Sequence, residues 1–408
     1  MDSLPPTDDR TLVTPTTRLL TPRFVGLCIG VSIYFLGLTM TLAVLPIYVE
    51  GDLGGTSTQV GIAVSSFGLA AAVIRPLVGP IGDRRGRRIL IAVGATTAGL
   101  ATMATALSTT IPMVVGFRAL AGIGEAAVFV GAATAIQDMT PANRRGEAAS
   151  YFSLTIYGSL FLGPPLGESL AESASTDTAW IVAGGLSVVA ATFSLLAPGA
   201  PAAPPPKPSK RVLLHKAALR PGLMLFLGLI GYTGFLTFVT LHAADVGISN
   251  TGTVFSILAA VVIVLRMLGA RLPDRLGPLT TTRISLSFSM IGLATLFAWQ
   301  EPAGVYGATA LIAVGQTFLF PALFALVVDK APESERSHAI GTQSMFFDLA
   351  FGLGGPLIGV VADLADDRAA GFLAGACVAA IGLIFSGRIL GDVHPTTTQA
   401  DLGLRSRR

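Results

Sequence analysis

The chain has 408 residues, of which 52% are hydrophobic and only 12% are charged. A soluble globular domain carries roughly 25% charged residues, so this composition excludes an ordinary soluble fold and indicates a membrane protein. The formal net charge is only +3, which gives no indication of a nucleic-acid partner.

Twelve apolar runs are long enough to form transmembrane helices, which need roughly 20 predominantly apolar residues each. Charged or turn-rich segments separate these runs along the whole chain. In chain order, the predicted spans are 23–49, 57–81, 88–108, 111–138, 147–170, 178–198, 219–243, 248–271, 280–299, 303–329, 337–362 and 368–390. We therefore predict an all-α integral membrane protein with twelve transmembrane helices.

The spans fall into two groups of six. The polar N-terminal tail, 1–22, lacks a basic segment followed by a short apolar core, so we interpret it as cytoplasmic rather than as a signal peptide. An N-terminal six-helix bundle, 23–198, and a C-terminal bundle, 219–390, are joined by a cytoplasmic linker, 199–218, that is Pro-rich and then basic. The predicted cytoplasmic C-terminal tail covers 391–408.

The second half of the sequence repeats the first, without a gap, at an offset of 191 residues. The matching pairs are Arg75 and Arg266, Asp83 and Asp274, Arg84 and Arg275, Gly86 and Gly277, Asp138 and Asp329, Pro141 and Pro332, Arg145 and Arg336, Gly163 and Gly354, and Pro165 and Pro356. Such a tandem duplication of a membrane unit is typical of transporters and places the substrate site at the interface between the halves.

Charge separates the two sides of the predicted bundle. The side that we call the basic face carries Arg84, Arg85, Arg87, Arg88, Arg144, Arg145, Lys207, Lys210, Arg211, Lys216, Arg220, Arg275, Lys330, Arg336, Arg405, Arg407 and Arg408. The opposite side, the acidic face, carries Glu50, Asp52, Glu172, Asp177, Asp245, Glu301, Asp363, Asp366 and Asp367, with Arg368 as the main exception. The positive-inside rule therefore predicts a multi-pass protein of the plasma (inner) membrane with both termini in the cytoplasm.

The loop after the second span reads Gly79-Pro80-Ile81-Gly82-Asp83-Arg84-Arg85-Gly86-Arg87-Arg88. This sequence resembles the signature loop of the major facilitator superfamily, Gly-x-x-x-Asp-Arg-x-Gly-Arg-Arg, as found in twelve-helix drug–proton antiporters and sugar-efflux transporters. A weakened copy in the second half reads Leu272-Pro273-Asp274-Arg275-Leu276-Gly277. The resemblance implies two pseudo-symmetric six-helix bundles that work by alternating access.

We expect this loop to connect the halves at the basic face. Asp83 would lie near the start of the eleventh span, at about Ser337, where the positive end of the helix dipole favours a carboxylate. By pseudo-symmetry, Asp274 would lie near the start of the fifth span, at about Gly146. The resemblance implies that the loop latches the outward-facing state and that Asp138 assists it. The predicted gating residues are Gly79, Asp83, Arg84, Gly86, Arg87, Arg88, Asp138, Asp274, Arg275 and Gly277. Arg87 and Arg88 fit a role as topology anchors equally well.

The fourth span carries two ionisable residues, Arg118 and Glu125, seven positions apart on one helix face. Ionisable groups at membrane depth are costly and are functional candidates by default. The pattern Arg118-x-x-x-Gly122-x-Gly124 resembles the motif of proton-coupled members of the family, which implies that the arginine helps proton transfer. Apolar surroundings favour the neutral form of a carboxyl group, so Glu125 could bind and release a proton as access alternates. A static ion pair between Arg118 and Glu125 is the alternative.

Asp348 is the other acidic residue predicted at membrane depth, and its repeat counterpart is Tyr157. Its carboxyl group could be a second protonation site or a contact for a cationic substrate. A structural hydrogen bond to Gln316 or another polar neighbour is an equal alternative. The symmetric arginines, Arg75 and Arg266, are predicted to extend towards the basic face in a structural role, with substrate binding as the alternative.

The fifth span contains Gly163, Pro164 and Gly167, which resemble the antiporter motif Gly-Pro-x-x-Gly-Gly of exporters, although Glu168 replaces its last glycine. The resemblance favours export over import. In members of this family, certain helices line a central cavity. The side chains on the corresponding spans of this chain predict a largely apolar cavity. These candidates are Tyr34, Tyr232, Phe235, Gln316 and Phe347.

Together these features predict a secondary active transporter that exports drug-like or amphipathic small molecules in exchange for protons. A sugar or other metabolite transporter on the same scaffold is one alternative, and a non-transporting membrane receptor or assembly factor is a remote one. The expected partners are a small-molecule substrate, protons and membrane lipid, with no nucleic acid. No enzymatic activity, cofactor or metal is expected, because the proton gradient supplies the energy and the sequence shows no metal-ligand or nucleophile cluster. A monomer is expected, because one chain contains both halves of the pathway.

Overall fold

The computed structural model of the chain describes residues 19–141, 144–199, 214–269, 272–332 and 336–391. Within these ranges, the side-chain surroundings of Gly79, Asp83, Arg145, Gly146, Ala149, Asp274, Arg336, Ser337 and His338 are not described. The three predicted cytoplasmic segments lie wholly or mostly outside the described residues.

Throughout the described ranges the structure is helical, with twelve long helices and no β-strand. The helices are α1 Pro22–Ile47, α2 Ser57–Arg85, α3 Arg87–Thr105, α4 Ile111–Asp138, α5 Arg145–Ser173, α6 Thr176–Thr192, α7 Lys216–Asp245, α8 Thr253–Gly269, α9 Pro278–Ala298, α10 Pro302–Lys330, α11 Arg336–Ala365 and α12 Arg368–Leu390. A π-helical segment, Tyr48–Asp52, extends α1, a short 3-10 helix, Phe193–Leu196, follows α6, and the short helix Leu272–Leu276 lies between α8 and α9.

Ten of these helices are long and apolar enough to cross a membrane; α5 and the shorter α8 are the two outside that set. The predicted all-α membrane fold is therefore confirmed. The ends of the helices follow local chemistry. Thr56 begins α2 with a capping box, in which Gln59 N donates to Thr56 Oγ1 and Thr56 N donates to Gln59 Oε1. Proline stands in the first turn of α4, α9 and α10, where its missing N–H costs no hydrogen bond.

The sequence repeat is also a repeat of structure. Helices α3, α4 and α5 begin at residues 87, 111 and 145, and α9, α10 and α11 begin at 278, 302 and 336, in each case 191 residues later. The two loop glycines match as well: Gly86 has φ +92° and Gly277 has φ +77°. Both adopt a backbone conformation that favours glycine, so each can end one helix and start the next with a sharp turn.

The two six-helix halves pack on each other mainly through α2 with α11 and α5 with α8. Towards the acidic face these helices approach closely at small residues. Gly61 lies against the backbone of Gly355, and Gly252, just before α8, lies against the backbone of Pro164 and Pro165. Close backbone contact of this kind needs residues without bulky side chains.

Candidate functional site

A cluster of three charged side chains lies between the halves, on three different helices. Arg75 of α2 places Nη2 3.6 Å from Glu125 Oε2 of α4 and Nη1 3.3 Å from Asp348 Oδ1 of α11. The carboxyl groups are only 9% and 8% exposed. We call these residues the charge triad. It connects the N-terminal half, which supplies Arg75 and Glu125, to the C-terminal half, which supplies Asp348.

The triad contains one cation and two carboxyl groups. If both carboxyl groups are ionised, its net charge is −1, and uptake of one proton makes it neutral. A buried charge without a partner is costly, so a low-dielectric site favours the neutral arrangement. The ring of Phe129 on α4 lies 5.4 Å from the Arg75 guanidinium and covers it on one side. The triad therefore has the composition of a site that can bind and release one proton.

The static pair between Arg118 and Glu125 is absent from the structure, and that interpretation was wrong. Seven residues of α-helix span roughly 10 Å along the axis, which separates the two charged groups. Arg118 instead donates from Nη1 to Thr41 Oγ1 at 3.3 Å, and its guanidinium lies 4.6 Å from the Phe67 ring centroid. Its guanidinium is buried between α1, α2 and α4, and Glu125 pairs with Arg75.

The expectation that Arg75 and Arg266 extend to the basic face was also wrong. Arg266, the repeat counterpart of Arg75, reaches from α8 to Tyr157 of α5, the repeat counterpart of Asp348. Its Nη2 donates to Tyr157 Oη at 3.2 Å, and its guanidinium lies 4.8 Å from the ring centroid. The halves are thus joined by two equivalent arginine contacts, one to a carboxyl group and one to a phenol. Sequence analysis missed this pairing. The repeat could have revealed it, because Arg75 and Arg266, like Tyr157 and Asp348, are separated by the same 191 residues.

The predicted hydrogen bond between Asp348 and Gln316 is not formed. The Gln316 amide donates to Gly228 O at 3.1 Å and to Ser289 Oγ at 3.0 Å, and both acceptors belong to the C-terminal half. Asp348 is therefore available to Arg75 of the other half.

A cavity of about 540 Å³ lies between the halves, on the basic side of the contact between Arg266 and Tyr157. It is lined by Glu147, Ser150, Tyr151, Ser153, Leu154 and Tyr157 of α5 and by Ile263, Arg266 and Met267 of α8. None of the five residues predicted to line a cavity belongs to this set. Tyr34 and Phe235 are buried, Tyr232 stacks on Phe235, and Phe347 stacks on Phe351.

At the acidic face, two carboxylates bind backbone N–H groups across the interface. Glu168, near the end of α5, is 4% exposed and accepts from Thr251 N at 2.8 Å, Thr251 Oγ1 at 2.7 Å and Gly252 N at 2.5 Å. Asp363, near the end of α11, accepts from the backbone N–H groups of Ser57 and Thr58 at 2.9 Å each. These carboxylates stabilise the positive N-terminal ends of α8 and α2.

Arg368, the exception to the charge separation, has a partner on each half. Its guanidinium pairs with Glu50 after α1 and with Asp245 at the end of α7. We call Glu168, Asp363 and Arg368, with their partners, the acidic-face seal. Sequence analysis treated Glu168 only as a departure from a motif and missed its role as a cross-interface acceptor.

The glycines of the fifth span pack within the N-terminal half. Gly163 and Gly167 lie against Thr39 and Met40 of α1, so that this face of the motif forms the seam between α1 and α5. Thr39 Oγ1 also donates to Ser159 O at 2.8 Å along the same seam. Pro164 and Pro165 are the part of this segment that touches the other half.

The gating loop is described in part. Asp138 accepts from Arg87 Nε at 3.2 Å within the N-terminal half, and Arg88 Nη2 donates to Ala197 O at 3.3 Å. Arg84 and Arg275 are exposed. The side-chain contacts predicted for Asp83 and Asp274, and the surroundings of Gly79, lie outside the described residues. No group of three or more His, Cys, Asp or Glu residues in the described ranges could hold a metal ion.

Comparison with known proteins identifies the family. The family model described as the Major Facilitator Superfamily matches residues 27–354, with a second match at 284–404. The chain belongs to the major facilitator superfamily. An uncharacterized MFS-type transporter of Salmonella typhimurium is 30% identical over 353 residues, which are 84% of this chain and 90% of the relative. One of Burkholderia mallei is 28% identical over 362 residues, covering 87% and 88% of the two chains.

Solved structures of other transporters share the fold. A bacterial homolog of the human lysosomal transporter Spinster, in an inward-facing and unoccupied conformation, has a TM-score of 0.75 at 14% identity and covers 92% of this chain and 98% of its own. The nucleoside transporter NupG has a TM-score of 0.73 at 16% identity, covering 90% and 100%. The family match and the curated relatives, together with this fold, make the chain a multi-pass membrane transporter of the alternating-access type.

Proposed function

We propose that this major facilitator protein is a proton-coupled transporter that exports amphipathic small molecules. The charge triad is the observation that carries the proposal. A single cation shared between two buried carboxyl groups can accept one proton without leaving a buried charge unpaired. Because Asp348 belongs to one half and Arg75 to the other, protonation of Asp348 would weaken a link between the halves.

The mechanism follows from the location of the triad and the seal. The halves are closed at the acidic face, and a cavity separates α5 from α8 on the basic side. With the basic face in the cytoplasm, as the positive-inside rule predicts, this is an inward-facing state. Opening to the other side requires the acidic-face seal to break. A proton that binds to the triad in one state and leaves it in the other would couple this change of conformation to the proton gradient. A single chain would do this without a cofactor.

The resemblance of Gly163, Pro164 and Gly167 to the antiporter motif supports export.

Substrate-driven proton flux tests this proposal. The purified protein would be reconstituted in liposomes with an imposed pH gradient and a lumenal pH dye. Lipophilic cations, amphipathic anions, neutral antibiotics and sugars would then be added in turn. We expect at least one amphipathic compound to drive proton movement, and Glu125→Gln and Asp348→Asn to reduce that flux by about tenfold or more, because each removes a protonatable group.

The matched control is Glu301→Gln. Glu301 is an exposed carboxylate at the acidic face, and its described hydrogen bond is accepted from Trp299 Nε1 at 3.0 Å, within the C-terminal half. Its substitution should leave the flux unchanged. Equal flux in the wild type and in both triad variants would overturn proton coupling through the triad. Flux driven by sugars alone would instead support the metabolite transporter.

A further inference from the structure

Among the residues that the structure describes, Arg266 has no acidic partner, whereas its repeat counterpart, Arg75, has two. The contacts described for its side chain are the hydrogen bond and ring contact with Tyr157, and its buried Nε has no hydrogen-bond partner among the described residues. No described carboxylate lies within 4 Å of its guanidinium, although Arg75 at the equivalent position binds both Glu125 and Asp348. A cation at membrane depth without a counter-charge is costly, which makes Arg266 a candidate for binding an anion.

Arg266, which has no acidic partner among the described residues, forms part of the wall of the cavity between α5 and α8. At about 540 Å³ this cavity falls within the size range of small-molecule sites. Leu154, Ile263 and Met267 give it apolar surface, and hydroxyl groups of α5 supply further polar atoms. Such a cavity suits a ligand with an apolar body and one polar head.

Charge decides which head group the cavity suits. Glu147 is the one described acidic residue in the lining, and it is already neutralised by Arg144, whose guanidinium lies 2.8 Å from its carboxylate. Among the described lining residues, Arg266 therefore leaves an excess of one positive charge. A ligand with one negative charge would balance it and supply the charge-assisted hydrogen bonds that a guanidinium forms with carboxylates.

We infer that the cavity between α5 and α8 binds an amphipathic monoanion whose acidic group pairs with Arg266 and whose apolar body lies against Leu154, Ile263 and Met267. The inference rests on the proposed function and deepens it, because it assigns a class of substrate to the transporter. Tyr157, which holds the guanidinium from the opposite half, positions Arg266 towards the ligand.

Binding of a matched pair of compounds tests the inference. The probes are 9-anthracenecarboxylate and its neutral analogue, 9-anthracenecarboxamide, and their affinities would be measured by equilibrium dialysis with the full chain in phosphatidylcholine nanodiscs. We expect the wild type to bind the carboxylate about tenfold more tightly than the amide, because only the carboxylate forms a charge-assisted contact. Arg266→Gln should abolish the preference without weakening amide binding, and Arg266→Lys should keep part of it.

The control is Arg283→Gln, because Arg283 lies on α9 and its Nε donates to Ser386 Oγ at 3.0 Å, outside the cavity. This variant should keep the full preference. Unchanged amide binding by Arg266→Gln would show that the variant is folded. Equal binding of the two probes by the wild type, or an undiminished preference in Arg266→Gln, would overturn the inference.

Two further arms separate related explanations. Adding phosphatidylglycerol to the nanodiscs should leave the carboxylate affinity unchanged; a loss seen in the wild type but not in Arg266→Gln would assign Arg266 to a lipid headgroup and overturn the inference. Glu125→Gln should keep the preference although it loses proton flux. An Arg266-dependent preference without any proton flux would support anion binding at Arg266 and overturn the proposed proton coupling. Proton flux driven only by cations would support the coupling and overturn anion binding at Arg266.

Discussion

Among individual residues, the position of Arg75 between two carboxyl groups gives the clearest link between electrostatics and function. Its two terminal nitrogens contact different helices and, in the case of Asp348, a different half of the molecule. The same guanidinium therefore compensates a buried charge and joins the halves. Protonation of Asp348 would change both properties at once, which is what coupling between a proton and a conformational change requires.

Removing the arginine should destabilise the protein in a manner that depends on pH. In Arg75→Gln, two carboxyl groups remain at the interface without a cation, and breaking a buried ion pair in this way costs roughly 3 kcal/mol. Protonation relieves the repulsion, so the loss of stability should be large at about pH 8 and small at about pH 5. Thermal unfolding of the detergent-solubilised variant and wild type over this range measures the difference.

Arg266→Gln is the matched control for this prediction. Its described hydrogen-bond partner is the Tyr157 phenol rather than a carboxyl group, so removal of this arginine leaves no described carboxylate without its cation. Its effect on thermal stability should be smaller and nearly independent of pH. If the two variants lost stability equally at every pH, the triad would not be an electrostatic unit.

The sequence contained enough information to select the candidates at residue scale but not their partners. Glu125 and Asp348 were selected because charged residues are conspicuous in apolar helices. The alternative that paired Glu125 with Arg118 was wrong, because spacing along α4 shows which residues share a face but not which helix lies opposite. Arg75 was assigned to the basic face from its distance to the loop, whereas its pairing depends on how the two halves pack together.

At the scale of helices, prediction was more successful because hydrophobic length and the repeat act together. Most predicted spans agree with the helices to within a few residues, and α12 has the predicted bounds. The eighth span is an exception, because α8 begins at Thr253 rather than near residue 248. The preceding residues, Thr251 and Gly252, instead direct their N–H groups to Glu168. A contact across 83 residues of sequence cannot be recognised from local hydrophobicity.

The seal at the ends of α5 and α11 should control which face is open. Glu168→Gln replaces the carboxylate that accepts three hydrogen bonds from Thr251 and Gly252 with a neutral amide, and these bonds hold the halves together when the acidic face is closed. Hydrogen bonds to a charged group contribute roughly 1.5–3 kcal/mol, so the population open at the acidic face should rise about tenfold or more. Spin labels at exposed Glu172 and Asn250, in a variant whose two native cysteines are replaced, would report the change as longer distances.

The control for the seal is the same Glu301→Gln used for the flux measurement, since that carboxylate lies at the same face but takes no described part in a contact between the halves. Its distance distribution should match that of the unsubstituted protein. Identical distributions in Glu168→Gln and the control would show that the seal does not determine the conformational balance.

For the whole molecule, two equivalent halves carry unequal contacts at equivalent positions. The contact between α2 and α11 contains a carboxyl group that can be protonated, whereas the contact between α5 and α8 contains a phenol beside a cavity. We propose that the proton binds at the contact between α2 and α11 and the substrate at the contact between α5 and α8. The repeat predicts the equivalent positions, and the structure shows that they differ in chemistry.

The most direct test is the dependence of the distance between the halves on pH. Double electron–electron resonance would be recorded with labels at Glu172 and Asn250 at about pH 5.5 and about pH 8, in the protein with Asp348 intact and in Asp348→Asn. Because protonation of Asp348 would release Arg75, the account predicts longer distances at the lower pH when Asp348 is present. It also predicts that Asp348→Asn shows the long distances at both pH values. An equal shift with pH in both proteins would contradict the claim that the triad couples protons to the change of conformation.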